Sequence, residues 1–131
     1  MIGISVDGVQ YDKIHITSLK RSFSVLDGSN TGRVQTGEMR RDIIGTYYNY
    51  TMKVVPDQSD ASMKQYDTLY EVLSAPAESH VIRVPYGQDW KQFTAYVTSG
   101  SDELKLKTTD YSKWDGLEVN FIAMSPERTP V

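Results

Sequence analysis

The sequence predicts a mainly β fold with one α-helix, built as an antiparallel β-sandwich or partly closed barrel with the helix on one edge. Three observations carry this. Residues 44–54 alternate with the period of a half-buried strand, Ile44, Thr46, Tyr48, Tyr50, Met52 and Val54 on one face. Residues 60–74 alone hold a sustained helical stripe, Met63, Tyr66, Leu69, Tyr70 and Leu73. The strands elsewhere lie too close together in the chain for parallel crossovers, except across that helix.

The elements follow in order. Ile2 to Val6 reads as a short strand entering an Asp7-Gly8 turn, with Val9 and Tyr11 beginning the return. Residues 14–26 are mixed: Ile14, Ile16 and Leu19 suit one strand, and Phe23 and Val25 another after a bend near Lys20-Arg21. Periodicity leaves a helix open here. Asp27 to Glu38, with three glycines and small polar residues, is a long irregular loop. After the 44–54 strand, Pro56 ends the run and Asp57 to Ser59 offer N-caps, with Asp60 in the first turn. Pro76 stops the helix.

Val81 to Val84 reads as a short strand closed by Pro85. Phe93, Ala95 and Val97 share one face of a strand over 92–98. Ser99-Gly100-Ser101 turns the chain, and Leu104 to Thr108 returns as the second arm of a hairpin. Trp114-Asp115-Gly116-Leu117 reads as a turn whose tryptophan plugs one end of the core. The last strand carries Leu117, Val119, Phe121 and Ala123 inward, and residues 125–131 read as a frayed tail. One domain over residues 1–131 is expected, with no internal repeat.

Composition limits the function classes. With 131 residues and 39% hydrophobic content, the chain can bury a core without staples. The net charge of −3 gives no electrostatic reason to expect nucleic acid. Cysteine is absent, so disulfides, thiolate metal sites and cysteine nucleophiles are excluded. No apolar run reaches the length of a membrane span, and no secretion signal is visible at the N-terminus.

Candidate chemistry is sparse. Residues 27–38 can be laid on a calcium loop, with Asp27, Ser29, Thr31 and Glu38 as ligands, Gly32 at the sharp turn and Val34 in the eighth position. Only two of these residues are carboxylates, and the following segment alternates as a strand where a helix is required. His15 and His80 are far apart in sequence, and each is expected on a strand surface rather than in a joint metal site. No nucleophile elbow, phosphate loop or nucleophile–base pair can be named, and no cofactor is implied. The cluster Tyr47 to Tyr50 and Trp90 can stack on a sugar. Tyr48 and Tyr50 lie on the apolar face and are expected in the core, leaving Tyr47 as the surface contact.

Three segments together resemble a known family. These are Gly32-Arg33-Val34-Gln35-Thr36-Gly37-Glu38-Met39 running into Asp42 to Tyr50, the helix Tyr66 to Pro76, and the closing Trp114 to Ile122. They resemble small structural proteins encoded in the tail regions of phages and prophages of Gram-positive bacteria, over roughly residues 20–125. The resemblance implies a tail-tube-like fold and a role in the virion tail, with assembly in the cytoplasm of the bacterial host. It implies other tail proteins or a ring of identical copies as partners, and it brings no catalytic residues. On that reading the chain contacts a partner through Gly28, Asn30, Gly32 and Arg33 of the loop and Tyr47 of the following strand, the glycines keeping the loop mobile until docking. A carbohydrate-binding β-module, a calcium-dependent regulator and an enzyme are the competing readings.

Overall fold

The computed structural model describes residues 4–29, 31–33, 35–126 and 128–129. Among these residues ten strands and one helix follow one another: β1 (Ile4–Val6), β2 (Val9–Tyr11), β3 (Ile14–Asp27), β4 (Gly32–Arg33), β5 (Met39–Arg40), β6 (Ile43–Pro56), α1 (Asp60–Ser74), β7 (His80–Tyr86), β8 (Asp89–Tyr96), β9 (Gly100–Lys107) and β10 (Ser112–Ala123). Eight strands form one antiparallel sheet in the order β2-β1-β7-β8-β10-β6-β3, with β9 also on β10. It does not close into a barrel, and β4 and β5 make a separate small hairpin.

The first hairpin turns where expected. Asp7 has φ 51° and Gly8 φ 84°, left-handed at both central positions, which is the requirement of a two-residue Asp-Gly turn. Residues 14–27 are one continuous strand, not two strands about a bend. Its breaks in register fall at Thr17, between Ile16 and Ser18, and between Leu26 and Asp27, not near Lys20-Arg21.

β10 holds the two halves of the sheet together. One of its edges pairs with β6 from Leu117↔Val54 to Phe121↔Tyr50. It also pairs with β9 from Ser112 to Val119, and then with β8 at Ile122 and Ala123. β8 and β9 thus run in succession along one strand, so the hairpin expected between 92–98 and 104–108 does not form. The chain passes through 97–99 without reversing. Asn120 secures the passage: its side-chain carbonyl accepts from the Thr98 hydroxyl at 3.1 Å and from the Thr98 and Ser99 amides at 3.4 and 3.5 Å. Its amide donates back to the Thr98 hydroxyl at 2.8 Å. We expect Asn120→Ala to cost about 1 kcal/mol in urea unfolding, with faster amide exchange at 98–99.

The core is the alternation made physical. Tyr50, Met52 and Val54 from β6 meet Ile82, Val84, Phe93 and Ala95 from β7 and β8, with Leu117, Val119, Phe121 and Ala123 from β10. Helix α1 packs against β6, β3, β10 and β2. Ser59 caps it, accepting from the Ser62 amide at 3.1 Å. Its buried stripe is Ser62, Tyr66, Leu69 and Leu73, with Tyr70 exposed. Ser62 takes the inward place because its hydroxyl bridges two chain segments, donating to the Lys13 carbonyl at 2.6 Å and accepting from the Asp57 amide at 2.9 Å.

Two further expectations are corrected. Trp114 plugs nothing: it stands within β10 opposite Leu104, 41% exposed. The bulge around Gly116, φ 75°, lets Leu117 turn inward while Trp114 stays outside. The tail is docked where it is described, since the Thr46 amide donates to the Arg128 carbonyl at 2.9 Å. Gly45 permits this approach, as a Cβ there would meet that carbonyl oxygen at 2.5 Å and Pro126 at 2.7 Å.

Candidate functional site

The β3–β6 hairpin is longer than the layer that covers it. The inward face of β6 continues from Val54, Met52 and Tyr50 through Tyr48 and Thr46 to Ile44. Opposite these stand Ile16, Leu19, Arg21, Phe23 and Val25 from β3. Cover ends at Tyr86, whose ring meets Tyr48 edge-on at 5.6 Å, while Tyr50 packs on Phe93 at 5.5 Å. Beyond that point the same apolar face lies open, with Phe23 71% exposed and Val25 and Ile44 also in solvent. A strand pattern that in the body of the protein marks core here marks an uncovered surface.

Cations ring this surface. The Arg21 guanidinium lies 5.2 Å from the Tyr86 ring centre, and the Lys91 ammonium lies 5.1 and 5.0 Å from those of Tyr48 and Tyr86. Arg128 lines the same hollow with Phe23 and Val25. A hydrogen bond with Tyr86, helped by the Arg128 and Lys91 charges and opposed by burial, holds the Tyr48 phenol below its ordinary value. The same bond raises Tyr86.

The loop singled out in the sequence begins beyond this face and is built, not open. Its base closes where the Gly28 amide donates to the Asp42 carbonyl, and a Cβ on Gly28 would lie 2.6 Å from the Asp42 carboxylate. The Asp42 amide donates to the Thr31 hydroxyl at 2.6 Å, and Arg41 pairs with Asp27 at 2.9 Å. β4 and β5 set Gly32 against Arg40 and Arg33 against Met39, and Arg33 donates to the Gly37 carbonyl at 3.0 Å. Asn30 and Val34 lie outside the described residues.

The calcium reading fails on this geometry. Strands, not helices, flank residues 27–38. Asp27 is engaged by Arg41, Thr31 by the Asp42 amide, and Ser29 and Glu38 stand exposed. Among the described residues no three His, Cys, Asp or Glu side chains gather to hold a metal.

Tyr47, expected as a surface contact, is half-buried and packs against the core. Trp90 belongs to a different strand pair, opposite Pro85, so the two do not share one strand face. Phe23 is the exposed aromatic that the sequence reading missed. Its signal was present in its alternation with Arg21 and Val25 into the face of Tyr48.

The histidines separate. His15 stays on the surface, 3.7 Å from Asp57. His80 is buried, 5% exposed, and its Nδ1 lies 2.7 Å from the Asp7 carboxylate, which also accepts from the Val81 amide at 2.8 Å. Burial pushes the Asp7 carboxyl up, but the His80 and Val81 hydrogen bonds outweigh it and hold the group below its ordinary value. A depressed carboxyl stabilises the fold above the ordinary carboxylate range and loses that contribution as pH falls through its own value. The Asp7 side chain is 45% exposed, so screening keeps the effect to about 1 kcal/mol. We expect Asp7→Asn, which tolerates the same backbone, to flatten the acid limb of a urea stability–pH profile by that amount.

Among the described residues no helix is long and apolar enough to cross a membrane. No protein-family model matches this chain, and no curated protein matches it.

Proposed function

We propose that this chain is a structural and assembly protein of a phage or prophage tail, acting through protein–protein contacts rather than catalysis. The observation that carries the reading is the uncovered inward face of the β3–β6 hairpin, where Phe23 is 71% exposed at the end of a core face. A folded chain gains by covering such a face, and a partner supplies the cover. Strand edges support the same reading. β3 ends the sheet order and, among the described residues, β9 pairs only with β10, so each offers backbone groups for strand addition. The resemblance of residues 20–125 to tail-region proteins names the setting: other tail proteins or identical copies as partners, in the virion tail and, during assembly, the host cytoplasm.

Mass spectrometry of purified particles, induced from a host that carries the gene, tests this. The chain is expected in the tail fraction at a fixed ratio to the other tail proteins. Its absence from particles whose other tail proteins are all detected would overturn the reading.

A further inference from the structure

A groove between α1 and β10 complements the uncovered hairpin in charge. Asp60, Asp67, Glu71 and Asp102 line it against a single Lys64, and Tyr70, Tyr111 and Trp114 supply its apolar wall. The three aromatics are each about two-fifths exposed, at 38, 38 and 41%. Lys64 is already engaged by Asp60 at 3.0 Å, and Asp102 accepts from the buried Tyr66 hydroxyl at 2.9 Å. The hairpin hollow carries the opposite sign: Arg21 and Arg128 flank Phe23, and no carboxylate stands among the described residues of its lining.

The register puts these two surfaces at opposite ends of the sheet. Tyr48 stands opposite Phe23, and Val54 stands opposite Leu117. Six residues of extended chain separate them, about 20 Å. Trp114 lies three residues beyond Leu117, on the side away from the hairpin end. No chain of this geometry can satisfy its own groove with its own hairpin.

We propose that the hairpin end of one copy docks in the α1–β10 groove of the next, Phe23 against the aromatic wall and Arg21 and Arg128 among the groove carboxylates. The occupant is a second copy because each chain carries both halves of the match, an apolar centre within charges of opposite sign. Such a contact is head-to-tail, so it propagates into a closed ring or an open filament and does not stop at a dimer. Burial first, then the Asp102 and Glu71 charges, raise the pKa of the Asp67 carboxyl, and arriving guanidinium groups would offset the charge part of this. This inference rests on the tail reading and names the partner and both faces of one contact.

Complementary variants test it by sedimentation over micromolar to millimolar protein at low salt. R21E/F23S destroys the hairpin surface, and E71K/W114S destroys the groove. All four positions are exposed, and circular dichroism verifies the folds; E71K alone replaces the second variant if W114S unfolds. Each variant alone is expected to remain a monomer where the wild type associates. Their equimolar mixture is expected to form a dimer and stop there, each partner supplying the surface that the other lacks. Rising salt should weaken wild-type association by about tenfold or more. A mixture that stays monomeric, or either variant associating like the wild type, overturns the proposal. So does a wild type that is monomeric throughout. A monomeric wild type that is present in purified tails would still uphold the structural role, whereas a head-to-tail dimer in the mixture together with absence from tails would uphold the contact and remove that role.

Discussion

Phe23→Ser combined with Val25→Ser is expected to weaken association by on the order of 100-fold, from about 3 kcal/mol of lost contact energy. The free monomer should stay as stable as the wild type. This is the reverse of what the same change does in a core. Phe23 and Val25 lie on the inward face of β3 but past the edge of the covering layer, so their side chains are already in water. Removing them opens no cavity. It removes an exposed apolar surface whose only gain comes when something covers it. Sedimentation equilibrium reads the first effect and urea unfolding the second. A loss of monomer stability near 3 kcal/mol would mean that the hairpin end is packed within the chain, contrary to the exposure described.

Phe121→Ala is expected to cost about 3–5 kcal/mol, enough to unfold a domain of ordinary stability in part at 37 °C. Phe121 is fully buried and opposes Tyr50 across the β10–β6 pair. It also sits one residue before β10 passes to β8, where the two halves of the sheet join. Its ring therefore fills the space that both halves share. A cavity there cannot be closed by moving one half, because β10 fixes both. Denaturant midpoints for Phe121→Ala and Phe23→Ser should differ by several kcal/mol in stability, although both delete an aromatic ring from a strand.

That contrast also locates what the sequence could tell. Alternation identified β6 and β10 and their inward residues, and the 3.6-residue stripe placed α1 within its final bounds of Asp60 to Ser74. Both signals depend on a face being apolar, which local spacing records. Neither records where the facing layer stops. Tyr48 and Tyr50 differ by one step of the same alternation, yet one is half-buried at the end of the cover and the other is in the core. The exposed Phe23 follows from that boundary, which β7 and β8 set from far along the chain.

Pairing was illegible for the same reason. β8 and β9 looked like the arms of a hairpin because a serine-glycine turn signal lies between them. Their shared partner is β10, and Asn120 holds the junction straight. His80 was expected on a strand surface. It is buried because Asp7, across the first turn, supplies its partner. The calcium spacing of residues 27–38 was a coincidence of small polar residues, which the loop spends on its own closure through Asp27, Thr31 and Asp42.

Amide hydrogen exchange, compared between dilute monomer and assembled particles, tests most directly the claim that the open hairpin face is where this protein meets its partner. The account predicts that amides of residues 21–27 and 43–48 exchange markedly more slowly in the assembled state, while core amides at 117–121 change little. Unchanged exchange across 21–27 and 43–48 in assembled particles would contradict it.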